Sequence, residues 1–263
     1  MTDAPRPPPR FEQPGLLAFA AYVAVVAFFV VALSGTQASL GDLASGLPQM
    51  ARLVGEMLPP STARLGPVAW ALLETFQMAF VGTVIGVLLS VPLAVLATPH
   101  LSPHPAIYHA ARTLIAFFRT VPDLVWALLF VVSVGLGPFA GTLALIVDKL
   151  GFCGRFFAEA MEEAERGPQE ALSAIGARRS AIVACAVLPA AMPSFVATSL
   201  FSLEKATRSS VVLGLVGAGG IGIELKVAMD LFSYDEAATI ILAIFALVLL
   251  VERASAWLRA RML

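Results

Sequence analysis

Apolar residues run along this chain in long blocks, without the alternation of a half-buried strand or the one-sided stripe of a surface helix. Blocks near 16–33, 70–97, 114–135, 138–158, 189–209 and 236–256 are each long enough to cross a bilayer core of about 30 Å. The pattern predicts an all-α polytopic membrane protein with about six transmembrane helices, forming one domain over 16–263. Ahead of it, 1–15 places Arg6 and Arg10 among Pro5, Pro7, Pro8, Pro9 and Pro14, and so much proline reads as a disordered tail. The first block, 18 residues long, exceeds the roughly 7–15 of a signal-peptide core and reads as a retained anchor.

Six crossings leave both ends on one side. The segments sharing that side carry Arg6, Arg10, Arg112, Arg119, Arg155, Arg166, Arg178, Arg179, Arg253, Arg259 and Arg261, against Arg52, Arg64 and Lys226 opposite. Eleven basic residues against three place both termini in the cytoplasm by the positive-inside rule. The stretch 34–67, interrupted by Gly35, Gly41, Gly46, Pro48, Pro59 and Pro60, becomes an outer loop. Gly135-Leu136-Gly137-Pro138 is short enough only for a tight outer turn between the third and fourth spans. In the second span Gly82, Gly86 and Ser90 form a small-residue stripe against which another helix can pack closely.

Composition supports this class. The chain of 263 residues is 59% apolar and 13% charged, where soluble domains run at roughly 45–50% and about 25%. A mean hydropathy of +0.86 and 17 basic against 18 acidic residues leave no basic surface for nucleic acid. Cys153 and Cys185, far apart in apolar sequence, read as buried small hydrophobes. His100, His104 and His109 stand among Pro99, Pro103 and Pro105, which keeps the first two off one helix face, so they read as loop histidines and not metal ligands.

The segment 159–188 breaks the apolar background with charge, so the chain leaves the membrane here. Gly167-Pro168 is expected to end the preceding helix, and Pro168 at a first helical position with Gly176 eight residues on frames a two-turn helix over 168–175. Glu170 in its first turn, with Arg178 and Arg179 beyond its end, suits the helix dipole at about 0.3–1 kcal/mol each. So short a helix is marginal alone in water and must lie against something. Two readings stand on the residues: a surface helix on its own protein, or a docking site for a soluble partner.

Glu170-Ala171-Leu172, then Gly176 after three residues, then Ala186-Val187-Leu188-Pro189 after nine more, is similar in spacing to the EAA motif of permease subunits of bacterial ABC importers; Leu172 and Ala186 depart from the usual alanine and isoleucine. The resemblance implies a type I importer permease fold in the bacterial inner membrane. It also implies a coupling helix seated in a groove of a cytoplasmic ATPase dimer, with Glu170, Ala171, Leu172, Gly176, Leu188 and Pro189 as the coupling residues. ATP and magnesium would then belong to the ATPase, and this chain would hold no cofactor. Consistently, none of the three lysines, Lys149, Lys205 and Lys226, is followed by the serine or threonine of a phosphate-binding Walker loop.

Gly217-Ala218-Gly219-Gly220-Ile221-Gly222 satisfies the glycine spacing of a dinucleotide fingerprint, with Asp235 and Glu236 downstream, yet spans flank it where a Rossmann unit needs parallel strands. Irregular backbone buried by protein or lining a watery passage accounts for Gly217, Gly219, Gly220 and Gly222. With Glu204, Arg208, Ser210, Val212, Gly214 and Val216 before it, this run resembles the corresponding segment of phosphonate-type importer permeases. Glu74-Thr75, Gln77-Met78-Ala79 and Gly82-Thr83, Arg119 to Ala127, and Ser255-Ala256-Trp257-Leu258-Arg259 extend the likeness over about 70–263. Methionine importers share the Gly-Ala-Gly-Gly run. The likeness implies phosphonate or a related phosphorus oxyanion (phosphate, phosphite) as cargo, a second permease copy in a homodimer, and a soluble or lipid-anchored substrate-binding protein outside.

Ionisable groups within spans cost about 2.5–3.5 kcal/mol each and mark partners or pathways. Glu204, Lys205 and Arg208 lie 15–19 residues beyond Pro189, deep in or toward the outer end of the fifth span. Glu204 and Arg208 are spaced to pair on one face, leaving Lys205 surplus. The pair is either structural, or Arg208 with Lys205 offers donors to a passing oxyanion. Asp148 and Lys149 point in different directions on the fourth span and are not expected to neutralise each other. They also replace a His-Thr pair often found there in phosphonate-type permeases, although Gly151 and Gly154 fit. The rival to an importer subunit is a secondary carrier using Asp148, Glu204 or Glu74 as proton relay; a membrane-embedded enzyme is a third class.

Overall fold

The computed structural model describes residues 15–36 and 39–262. The Arg6 and Arg10 tail therefore lies outside the described residues, apart from Gly15. The chain divides into two compact units at Gly55/Glu56. The first holds α1 (Leu16–Gly35), apolar throughout and burying none of its side chains, and α2 (Leu40–Glu56). Where the glycines and prolines of 34–67 suggested a loop, α2 forms because Leu43, Leu47, Met50 and Val54 repeat at three- and four-residue spacing. Ser39 Oγ accepts a hydrogen bond from Asp42 N at 3.1 Å at its start. Pro48 sits inside this helix.

The second unit is a helical bundle built around α6 (Pro138–Glu163). Around it pack α3 (Leu65–Leu96), α4 (Pro105–Thr120), α5 (Asp123–Val134) and α9 (Leu188–Gly214). The segment between α6 and α9 contributes α7 (Arg166–Ala174) and α8 (Arg179–Ile182), and α10 (Ile221–Asp230) leads into α11 (Tyr234–Met262). The small stripe of α3 meets α6 at backbone distance. A Cβ on Gly82 would stand 2.8 Å from Leu145 Cβ, and one on Gly86 2.4 Å from Lys149 Cβ. Two apolar clusters stack along the α3–α6 seam, one with Met78, Leu145 and Leu213 and one with Ile115, Phe157 and Phe195.

The expectation of six uninterrupted crossings changes in three places. Among the described residues four helical runs, α1, α3, Arg179–Gly214 and α11, are long and apolar enough to span a membrane, and a fifth exists if α4 and α5 form one span bent by 88°. The third predicted block is broken because Pro122 forces Val121 into extended backbone (φ −81°, ψ 122°). At 26 residues, α6 is long enough to cross, but Asp148, Lys149 and Arg155 set it apart from the apolar runs. It is the helix enclosed by the others. The fifth run starts earlier than expected, because α8 continues through a π-helical segment, Val183–Val187, into α9. Pro189 brings no N–H to the helical ladder, and the turn before it is wide: Leu188 N reaches back five residues to Val183 O. Ala186 and Val187 are buried, Val187 within the Phe157 and Phe195 cluster, whereas Cys185 is exposed; of the two cysteines only Cys153 is buried.

Candidate functional site

The segment with the EAA-like spacing is set by its ends. α6 stops at Glu163 with Ala164 and Glu165 extended, so Gly167 and Pro168 fall inside the first turn of α7, where no N–H is required for the helix. They do not break the preceding helix as expected. With Arg166 as the first helical residue, Glu170 also lies beyond the first turn and gains less from the dipole than its predicted position implied. At the other end Gly176 takes φ +82°, Gly176 N donates to Ser173 O at 3.0 Å and Ala177 N to Leu172 O at 3.0 Å. This is a Schellman cap, and the left-handed residue it needs is the reason for glycine at that position.

α7 buries none of its residues. Glu170, Ala171 and Gly176 are exposed, Leu172 is half-buried, and Ile175 is 78% exposed. Among the described helices it packs mainly against α8 and the π segment. Leu188 and Pro189 stand apart from this surface: Leu188 packs against the Phe157 and Phe195 cluster, and Pro189 follows the widened turn. The motif thus divides into an exposed face and a root that ties it to the bundle.

Deeper in the bundle, Asp148, Lys149 and Lys205 come together. Lys149 Nζ donates to Asp148 Oδ2 at 2.6 Å, and Lys205 Nζ donates to Asp148 Oδ1 at 2.9 Å and Oδ2 at 3.2 Å. Lys149 is wholly buried. Two expectations are corrected here. Asp148 and Lys149 do pair, because the Lys149 stem is pressed against Gly86 and its long flexible chain curls back to the adjacent carboxylate. Lys205 is not surplus, since Asp148 on the neighbouring helix bridges both ammonium groups. The Lys205 ammonium also lies 5.1 Å from the centre of the Phe152 ring.

Glu204 does not pair with Arg208. Its Oε1 stands 2.8 Å from Nη1 of Arg259, off the N–H direction, so the contact is an ion pair without a hydrogen bond. Glu204 is therefore level with the last turn of α11 and not with its start, and its partner comes from 55 positions away in sequence, 259 against 204. Arg208, exposed, has no ion pair among the described residues.

The glycine run is clamped to α3. Gly220 N donates to Glu74 Oε1 at 3.0 Å and Ile221 N to Thr75 Oγ1 at 2.7 Å, satisfying free donors at the start of α10. Gly217, Gly219 and Gly220 all have positive φ. A Cβ on Gly222 would lie 2.1 Å from Val211 O, so α9 and α10 approach at backbone contact. Glu74 thus serves as a clamp, a role no spacing rule reveals across 146 residues. Arg64 does similar work for the second unit, bridging Glu224 at 2.9 Å and Glu236 at 3.4 Å.

Outside the spans, His100 is held below its ordinary value of 6.5, first by burial and then by the charge of Arg166, against an opposing pull from Glu162.

Comparison with known proteins places this architecture. The family described as binding-protein-dependent transport system inner membrane component matches residues 82–263. The chain is 40% identical over 240 residues to the phosphite transport system permease protein PtxC of Stutzerimonas stutzeri, covering 90% of this chain and 87% of that one. It is 41% identical over 207 residues to the phosphate-import permease protein PhnE of Mycolicibacterium smegmatis, covering 78% of this chain but 39% of that relative, less than half its length. Among solved structures, the inward-facing MetNI methionine ABC transporter superposes with a TM-score of 0.67 at 24% identity, over 76% of this chain and 98% of that one, which shows a shared fold. By the extent of the family match and the near full-length likeness to PtxC, this chain belongs to the inner-membrane components of binding-protein-dependent transport systems.

Proposed function

We propose that this chain is the permease subunit of an ATP-driven importer that moves a small phosphorus oxyanion, phosphonate, phosphite or phosphate, into the cytoplasm. ATP and magnesium are held by a separate ATPase pair, and this chain holds no cofactor. A second copy of the permease completes the passage, an external binding protein delivers the cargo, and both termini face the cytoplasm. The observation that carries the coupling role is α7: a capped helix that leaves Glu170, Ala171 and Ile175 exposed and packs against α8 and the π segment that lead into α9. The names of the phosphite and phosphate permeases to which the chain is similar support the cargo class.

The mechanism is a rigid-body switch between inward-open and outward-open packings, driven by the ATPase and transmitted through α7. Gly176 fixes the direction in which the chain leaves α7, and the π segment joins that exit to α9. Arg208 and the half-exposed Lys205 offer donors to an anion, since guanidinium and ammonium match its oxygens. Asp148, Lys149 and Glu204 brace helix pairs around that path, and the clamped glycines Gly217, Gly219, Gly220 and Gly222 keep its wall rigid.

The test is uptake of methylphosphonate and phosphite into vesicles carrying the complete complex, with binding protein supplied outside. Uptake is expected to require ATP and an active ATPase, and Glu170→Lys is expected to lower ATPase co-purification by about tenfold or more, as loss of an interface hot spot does. Uptake driven by a proton gradient with an inactive ATPase, or unchanged co-purification with Glu170→Lys, overturns the proposal.

A further inference from the structure

A cavity of about 510 Å³ opens between α4 and α6, away from the Asp148 cluster and the glycine run. Its lining includes Arg112, Arg119 and Arg155 and no carboxylate, the rest being Ile115, Ala116, Thr120 and Ala158. Three guanidinium groups around one hollow repel one another unless something answers them. Two are partly answered from behind. Arg112 donates from Nε to Ala97 O at 3.0 Å and from Nη2 to Glu162, and Arg155 donates from Nε to Glu159 Oε1 at 2.7 Å. These contacts fix both side chains while leaving further N–H donors on each. Arg119, in the last turn of α4, has no hydrogen bond or ion pair to a side chain among the described residues, so no carboxylate answers its charge.

We infer that this cavity is a phosphorus-oxyanion site, taking a tetrahedral group with two or more free oxygens. The chemistry follows from the lining. Planar guanidinium forks grip such oxygens two at a time, and Ile115, Ala116 and Ala158 lower the local dielectric, which strengthens each contact. The hollow exceeds what one bare oxyanion needs, so it holds either a hydrated inorganic ion or the phosphate of a lipid headgroup. Both share the same donor requirement. The inference stands on the arginine geometry and does not depend on the transport reading above.

The test uses the full chain in nanodiscs of phosphatidylcholine, without ATPase or binding protein, so a failure of transport leaves it untouched. Saturable binding of radiolabelled phosphate and phosphite is measured directly. In a second arm, native mass spectrometry from discs containing phosphatidylglycerol and phosphatidylcholine measures which lipid is retained. Arg119→Gln is expected to weaken whichever occupant binds by about tenfold or more, the effect of removing a charged hydrogen-bond donor. Ala116→Glu, which puts a carboxylate on an exposed lining position, is expected to abolish binding with the melting temperature unchanged. Arg253→Gln, outside the lining, serves as control and is expected to bind like wild type. Inorganic-ion binding lost in both variants supports the site with a free ion as occupant. Retention of phosphatidylglycerol over phosphatidylcholine, lost in both variants, supports it with a lipid phosphate. Binding of neither, or binding that survives both variants, overturns the inference.

Discussion

Asp148→Asn removes one charge without changing bulk, and the structure sets its cost. Lys149 is wholly buried with its ammonium 2.6 Å from Asp148, and Lys205, with 37% of its side chain exposed, shares the same carboxylate at 2.9 Å. After substitution two positive groups face an amide. Lys205 reaches water and loses little, as for an exposed ion pair worth about 0–1 kcal/mol. Lys149 cannot, because α3 closes over its stem at Gly86 and Ser90 Oγ holds its carbonyl at 3.1 Å. Stranding one partner of a buried pair costs about 3–5 kcal/mol. At roughly 2–4 °C per kcal/mol for a chain near this size, Tm is expected to fall by about 6–20 °C. The assay is thermal unfolding of the purified chain in mild detergent, followed by tryptophan fluorescence and by loss of the monodisperse peak. Asp148→Asn combined with Lys149→Met removes the stranded charge and is expected to recover to within about 1 kcal/mol of wild type. A single variant within about 1 kcal/mol of wild type, or a double variant no better than the single, refutes the buried-pair account.

Two further outcomes follow from the packing and the loop chemistry. Gly222→Ala puts a methyl group 2.1 Å from Val211 O and 2.8 Å from Gly214 Cα, both backbone atoms that cannot rotate away, and overpacking of this kind costs about 1–3 kcal/mol or more. Gly167→Ala, in the first turn of α7 with nothing within 4 Å, is the contrast: its melting temperature is expected to stay level or rise. Equal destabilisation by both would argue against the α9–α10 approach. His100, with its folded value depressed below 6.5, favours the folded state fully above that pH, and the contribution falls away as pH drops below 6.5 toward the folded value. Chemical denaturation between pH 7.5 and 5 is expected to show this decline, and His100→Gln to flatten that part of it; an unchanged profile would exclude the histidine as its source.

Many of the helices were legible from the residues because their signals are local. Apolar runs near 16–33, 70–97 and 236–256 reappear within α1, α3 and α11, and the Gly135 to Pro138 turn separates α5 from α6, since hydropathy and backbone breakers act within a few residues. The spacing from Glu170 to Pro189 and the glycine run also announced themselves. α2 was hidden by its glycines and Pro48, although a three-and-four repeat of apolar positions was there to be read. The break at Val121-Pro122 carried a proline signal that the apolar count outweighed.

What the tertiary structure decided was pairing. The sequence shows Glu204 four residues from Arg208 and Lys149 beside Asp148, and spacing rules favour the first pair over the second. The bundle reverses that order: Arg259 comes to Glu204, Asp148 is shared by two lysines, and Glu74 clamps Gly220 from 146 positions away. A helix fixes which side chains lie on one face, but which face meets which neighbour depends on the crossing of helices distant in sequence. Those crossings are set here by how closely Gly82, Gly86 and Gly222 let backbones approach.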